Sequence, residues 1–101
     1  MLIPTNLLNL SEKMVVKIDK SFVKDVSKIK DQRLRNHIAD CIDHIQKAES
    51  LSQIVSLKKI TGETHYYRIR LGDYRLGIRV SGSSLIFIRA LHRKEIYRYF
   101  P

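Results

Sequence analysis

Residues 66–97 read YYRIRLGDYRLGIRVSGSSLIFIRALHRKEIY. Arg68 and Arg70 alternate with apolar side chains, and the same alternation continues with Arg75 after Gly72-Asp73. Because successive side chains of a strand point to opposite faces, this pattern predicts two strands that share one apolar and one cationic face. A two-residue turn at Gly72-Asp73 places Arg70 opposite Arg75, and facing like charges destabilise a sheet by roughly 0.2–1 kcal/mol. Because an anion bound between the two arginines would offset this repulsion, the pattern indicates an anionic partner.

Three strands are predicted in this half of the chain, at about 64–71, 74–80 and 85–91, with turns at Gly72-Asp73 and Ser81–Ser84. The apolar face is expected to hold Tyr67, Ile69, Leu71, Leu76, Ile78 and Val80, and the exposed face Arg68, Arg70, Arg75 and Arg79. Gly77 falls opposite Arg68 and is expected to leave an open notch there. The face of Arg89 depends on whether the Ser81–Ser84 turn contains a bulge, so the sequence leaves it open.

The preceding half of the chain predicts a short strand and two helices. The strand follows Met14, and Asp19 or Ser21 can cap the first helix, whose apolar stripe is Phe22, Val23, Val26 and Ile29. Asp31 can cap a second helix, in which Leu34, Ile38, Ile42 and Ile45 line one face. Residues 50–62 are expected to be an irregular connector. The expected fold is therefore α+β, with an N-terminal strand, a helical hairpin and a three-strand antiparallel meander, the helices packing on one face of the small sheet.

Length and composition indicate one domain. The chain has 101 residues and no apolar run near the ~18 residues of a membrane span. Residues 1–13 differ in character from the rest of the chain, so they are expected to be an extension of uncertain status before a single domain over 14–101. The lone Cys41 excludes an internal disulfide, and the N-terminus lacks the pattern of a secretory signal. A cytoplasmic location is the expectation.

The charge is large and unevenly placed. The net charge is +9, and residues 58–98 carry ten Lys and Arg against three acidic residues, whereas residues 1–57 carry nine against seven. A concentrated basic region is typical of a nucleic-acid binder. A membrane partner would more naturally meet a basic amphipathic helix, which is not evident. The pair Lys58-Lys59 would lengthen a nucleic-acid track.

The cationic strands are followed by residues suited to phosphodiester cleavage. Arginines bind phosphates in a bidentate manner, and fixed cations stabilise the negative charge that builds up when an RNA 2′-hydroxyl attacks the phosphorus. Histidine is the side chain most often used for proton transfer, so His92 is the candidate for that role, and Tyr97 follows among several basic residues. No metal site or cofactor is predicted: His37 and His44 lack the HExxH pattern, and no glycine-rich phosphate loop is present.

The motif YRIRLGDYR followed by HRxxxY resembles the RelE/ParE superfamily of bacterial type II toxins, over about Met14 to Phe100. The resemblance implies a compact toxin that a cognate antitoxin binds and neutralises, within a toxin–antitoxin hetero-oligomer. RelE-type members are metal-independent endoribonucleases that cut mRNA in the ribosomal A site and so inhibit translation. ParE-type members inhibit DNA gyrase instead and lack the catalytic set, which leaves this second function as the alternative.

The resemblance also implies roles for individual residues. The catalytic set would be Arg75, which contacts the scissile phosphate, Tyr97, which stacks on the substrate base, and the C-terminal residues His92 and Arg93. The RNA- or phosphate-binding set would be Arg68, Arg70, Arg79, Arg89, Lys58 and Lys59. The chain departs from the best-studied RelE type at Leu91, where that toxin has an arginine that is a candidate general acid. His92 is therefore the candidate for proton transfer, with Arg93 as the second choice.

Overall fold

A computed structural model of the chain describes residues 15–48, 57–60 and 65–101. The elements follow in the order β1 (Val15–Ile18), α1 (Lys20–Ser27), α2 (Gln32–Lys47), β2 (Leu57–Lys59), β3 (Tyr66–Leu71), β4 (Tyr74–Ser81), β5 (Ser84–His92) and α3 (Ile96–Tyr99). The strands form one sheet in the order β1-β5-β4-β3-β2, in which β1 is parallel to β5 and the other pairs are antiparallel. The expected α+β class, with its N-terminal strand, helical hairpin and three-strand meander, is confirmed. None of the described helices is long and apolar enough to span a membrane.

The two helices begin where the sequence predicts. The Asp19 carboxylate accepts a hydrogen bond from the Ser21 backbone N–H at 3.0 Å, and the hydrogen bonds from Ser21 lower the pKa of Asp19. Asp31 accepts from the backbone N–H groups of Arg33 and Leu34. Each carboxylate thus satisfies donors that the first helical turn leaves without a partner.

The core lies between the helices and one face of the sheet, which we call the helix face. Ile69, Leu76, Ile78, Leu85 and Phe87 are completely buried there, and Phe22, Ile38 and Ile45 meet them from the helices. Each fully buried side chain of this size contributes about 1.5–3 kcal/mol. The prediction is wrong for one member of the apolar stripe of α1, because Val23 is 58% exposed.

A β-bulge in β5 sets which of its side chains reach the helix face. Ser81 pairs with Ser84 across a two-residue turn, so the turn itself adds no extra residue. The register shifts farther along: Ile78 pairs with Phe87, but Gly77 pairs with Arg89. Ile88 is therefore the extra residue, and beyond it the side chains of β5 exchange faces.

Strand β2 lies within the segment that was expected to be irregular, so that expectation is wrong for residues 57–59. Leu57 pairs with Ile69, Lys58 with Arg68 and Lys59 with Tyr67. A strand of three residues is too short for an alternation pattern to reveal it. The rest of the expected connector that the structure leaves undescribed, residues 50–56 and 61–62, and the expected extension over 1–13 lie outside the described residues.

The expected notch at Gly77 is also wrong, because the C-terminal segment fills it. A Cβ atom built on Gly77 would lie 2.6 Å from Cδ2 of the Phe100 ring. Phe100 is 5% exposed, and its ring meets that of Tyr66 edge-on at a centroid distance of 5.5 Å. The sheet thus has a second, smaller apolar contact on the face opposite the helix face, which we call the outer face.

Candidate functional site

The strand register gathers basic side chains on the outer face. Residues directly opposite one another in a sheet point to the same side, so the pairs along β2, β3 and β4 define this face. It holds Lys58, Tyr66, Arg68, Arg70, Arg75, Gly77 and Arg79. Lys58, Arg70 and Arg79 are exposed, and Arg68 and Arg75 are half-buried. The predicted separation of an apolar from a cationic face is thereby confirmed.

Arg70 and Arg75 face each other across the β3–β4 hairpin, as the turn predicts. Arg75 folds back toward the turn, and its Nη1 donates to the carbonyl oxygens of Gly72 at 2.8 Å and Tyr74 at 2.9 Å. These carbonyl dipoles offset part of the repulsion between the two guanidinium groups. Within the described ranges, no ion pair involves either arginine. Their charge therefore remains available to an external anion.

Helix α3 brings an aromatic ring to the cationic face. The guanidinium carbon of Arg68 lies 4.8 Å from the centroid of the Tyr97 ring, a cation–π contact. Tyr97 is 69% exposed, so one face of its ring is open to a planar partner. The structure thus brings together Arg68 and Tyr97, which are far apart in the sequence.

The β3–β4 turn is tied to the end of β5. The backbone N–H of Arg93 donates to the carbonyl of Asp73 at 2.7 Å. The Arg93 Nε lies 3.9 Å from Asp73 Oδ1, but both side chains are more than half exposed, so this ion pair is weak. The backbone hydrogen bond places Arg93 beside the turn that precedes Arg75.

His92 does not join this group. It pairs with Tyr74 in register, and the two rings meet edge-on at 5.7 Å. Tyr74 alternates with Arg75 along β4, so His92 lies on the helix-face side while Leu91 lies opposite Arg75 on the outer face. The Nδ1 atom of His92 accepts a hydrogen bond from the Lys94 backbone N–H at 3.1 Å. The bulge at Ile88 therefore places His92, the candidate for proton transfer, on the face opposite to that of Arg75.

Arg89 also has a different environment from the one expected of a phosphate ligand. Its Nε and Nη2 donate to the two oxygens of Asp25 at 2.6 and 3.1 Å, and this pairing raises the pKa of Arg89. Asp25 was missed in the sequence. The available signal was an acidic residue three positions after Phe22 and four before Ile29, on the buried stripe of α1. An acid at such a position needs a buried partner.

The two neighbouring lysines of β2 lie on opposite faces of the sheet. Lys58 pairs with Arg68 and lies on the outer face, whereas Lys59 pairs with Tyr67 and lies on the other. By register Arg89, which pairs with Gly77, also lies on the outer face, but its guanidinium is engaged by Asp25. The other predicted phosphate-binding residues on this face are Lys58, Arg68, Arg70 and Arg79. With Arg75 and Tyr97 they form a surface that offers cations for phosphates and a ring for a base.

Sequence comparison assigns the chain to a family. A profile of the ParE toxin family, described as the ParE toxin of the type II toxin–antitoxin system parDE, matches residues 16–97. The chain is a member of this toxin family, within the RelE/ParE superfamily. The toxin RelE3 of Methanocaldococcus jannaschii is 46% identical to it over 89 residues, which cover 87% of this toxin and 100% of the relative.

Solved structures agree with this assignment. The crystal structure of the RelB–RelE antitoxin–toxin complex from Methanococcus jannaschii matches with a TM-score of 0.71 and 44% identity, over 84% of this toxin and 99% of that chain. The archaeal RelE–RelB complex from Pyrococcus horikoshii OT3 matches with a TM-score of 0.64 and 22% identity, over 80% and 96% of the two chains. The second similarity shows a shared fold. This protein is thus a type II toxin of the RelE family, with the predicted superfamily confirmed.

Proposed function

We propose that this toxin is a ribosome-dependent, metal-independent endoribonuclease that cleaves mRNA by attack of a 2′-hydroxyl and so inhibits translation. The observation that carries the proposal is the contact between Arg68 and the exposed ring of Tyr97 on a face that also presents Arg70 and Arg75. A face that combines an open aromatic ring with several arginines offers both a stacking surface for an unpaired base and contacts for the adjoining phosphates.

The reaction is an internal transesterification. The 2′-oxygen forms a bond to the adjacent phosphorus, the bond from phosphorus to the 5′-oxygen breaks, and the products are a 2′,3′-cyclic phosphate and a 5′-hydroxyl. Negative charge grows on the non-bridging oxygens, where Arg70 and Arg75 would stabilise it. Tyr97 would hold the base by stacking and so orient the 2′-hydroxyl for in-line attack.

Two protons move in this reaction, one away from the 2′-oxygen and one to the 5′-oxygen. Positioned groups for such transfers are typically worth about 10²–10⁴-fold each. Arg93 lies beside the turn that precedes Arg75, so we propose that its cation stabilises the departing 5′-oxygen. His92 stays a candidate proton donor, although it lies on the other side of the sheet from Arg75. A rate measurement on a His92 variant separates the two.

We further propose that a cognate antitoxin binds and neutralises this toxin. Two observations support this: the similar RelE chains were solved as complexes with RelB, and this toxin carries a net charge of +9. A charge of that size favours an acidic partner, and an acidic, partly disordered segment could follow the basic surface.

The deciding experiment is primer extension on mRNA in a reconstituted translation system. Wild-type toxin should produce cuts within translated codons, and Arg75→Ala and Tyr97→Ala should each reduce cleavage by about 10²-fold or more. Arg35→Ala is the matched control, because Arg35 is exposed on α2 and borders a groove between α1 and α2 that no outer-face residue lines. Since Tyr97 is mostly exposed, its variant should keep the wild-type melting temperature. Full cleavage by a folded double variant would overturn the assigned site.

The second candidate function is inhibition of DNA gyrase. It is favoured by one observation, the match of residues 16–97 to the ParE family profile. A gyrase inhibitor would leave mRNA intact and block supercoiling by purified gyrase. Running the supercoiling assay beside the primer extension, with the same protein preparation, distinguishes the two functions.

A further inference from the structure

The edge of β5 changes partner halfway along. Strand β1 pairs with β5 from Ser84 to Phe87 and then ends. From Ile88 onward the backbone edge of β5 is covered by side chains of α1: the Ser21 hydroxyl donates to the Ile88 carbonyl, and the Ala90 N–H donates to the Asp25 carboxylate at 3.0 Å. Helix α1 therefore completes the hydrogen bonding that a strand would supply to a sheet edge.

Asp25 connects this edge to the C-terminal helix. Only 7% of the Asp25 side chain is exposed, and it accepts three hydrogen bonds, two of them from Arg89. The guanidinium carbon of Arg89 lies 5.6 Å from the centroid of the Tyr99 ring on α3. Tyr99 follows Tyr97 by two residues on the same helical turn. A continuous set of contacts thus runs from α1 through Arg89 to the helix that carries Tyr97.

We infer that Asp25 is a positioning residue: together with Arg89 it fixes the C-terminal segment from residue 93 to residue 100, so that Tyr97 stays against Arg68. Helix α3 has only four residues and would not persist without tertiary contacts. Removing either charge leaves the other largely buried and without its partner, which releases β5 and α3 together. The catalytic consequence rests on the proposed function, whereas the positioning itself does not.

The positioning is tested by hydrogen–deuterium exchange with mass spectrometry on Asp25→Asn, Arg89→Met and the double variant. We expect amides of the segment 93–100 to exchange at least about tenfold faster in all three, with the β3–β4 hairpin unchanged. The matched control is Asp43→Asn with Lys47→Met, which removes the exposed ion pair of α2 that measures 3.0 Å. Wild-type exchange at 93–100, or faster exchange spread evenly over the sheet, would overturn the inference.

The catalytic consequence is tested with the same variants in the translation assay. Each single variant should cleave mRNA about 10–100-fold more slowly, because a small displacement of a positioning group has effects of that size. The double variant should be no slower than either single one, since both act through one pair. Arg89→Lys, which keeps the charge, should recover part of the rate and of the protection.

Two outcomes separate this inference from the proposed function. If wild-type toxin does not cut mRNA, the proposed function fails, and the exchange experiment still decides the positioning. If wild-type toxin cuts mRNA and the Asp25 variant cuts equally fast despite a loosened segment 93–100, the catalytic part of the inference fails alone.

Discussion

The ring of Phe100 occupies the space beside Gly77 where every other residue type would place a Cβ atom. A Cβ atom on residue 77 would lie only 2.6 Å from Cδ2 of Phe100. The nearest atoms belong to a rigid ring, and not to the end of a flexible side chain that could move aside. Gly77 also pairs with Arg68, the arginine that contacts Tyr97. The absence of a side chain at position 77 therefore allows the C-terminal segment to close on the cationic face.

Gly77→Ala should displace Phe100 and loosen α3. We expect it to lower the free energy of unfolding by about 1–3 kcal/mol, the usual cost of forcing a methyl group into an occupied space. Urea unfolding followed by circular dichroism measures this. In a Phe100→Ala background the same change should cost nothing further, because the ring is gone. Equal losses in both backgrounds would contradict the steric explanation.

Lys58 and Lys59 should differ in their effect on RNA binding. Lys58→Ala should weaken binding of a single-stranded RNA and reduce the slope of log K against log salt concentration by about 0.7, the value for one lost phosphate contact. Lys59→Ala should leave the slope unchanged, because Lys59 points to the opposite face. Fluorescence anisotropy at several salt concentrations, with a 2′-deoxy substitution at the cleaved position, provides the test. Identical slopes for the two variants would show that strand position does not matter here.

His92→Gln should slow mRNA cleavage far less than Tyr97→Ala. The reason is the β5 bulge, which turns His92 toward Tyr74 and away from Arg75. A proton-donating histidine would make the cleavage rate depend on pH, and its replacement would remove that dependence. Single-turnover cleavage across neutral pH should instead give parallel profiles for wild type and variant. Loss of one limb in the variant would identify His92 as the proton donor.

Cys41 should be nearly inert toward alkylation in the folded toxin. Burial raises the pKa of its thiol to about 11, so roughly one thiol in a thousand is ionised at pH 8. Because the folded-state pKa lies above the ordinary value of about 8.5, the stability that this thiol contributes is present below that value and is lost as the pH rises toward 11. Iodoacetamide labelling at pH 8 should be slow in buffer and fast in denaturant. Rapid labelling of folded protein would show that the thiol is accessible.

Local patterns in the sequence predicted most of the secondary structure. Asp19 and Asp31 cap the helices because a carboxylate needs only the next few backbone N–H groups to do so. Strands β3 and β4 follow from period-two alternation and a turn of two residues, in which Gly72 adopts a φ of 58°. Strand β2 was not predicted, because a strand of three residues is too short to show an alternation of apolar and polar side chains.

The sequence by itself determined that Arg70 and Arg75 face each other on a cationic surface, since strand alternation and a tight turn are local properties. Only the tertiary structure decided which other residues join that surface. One extra residue, Ile88, turns His92 away, because a shift of one position exchanges the faces of a strand. Asp25, 64 positions before Arg89, engages that arginine, and the closing of Phe100 over Gly77 brings the segment that carries Tyr97 onto the sheet. Contacts between residues so far apart depend on how the whole chain packs, which no local pattern encodes.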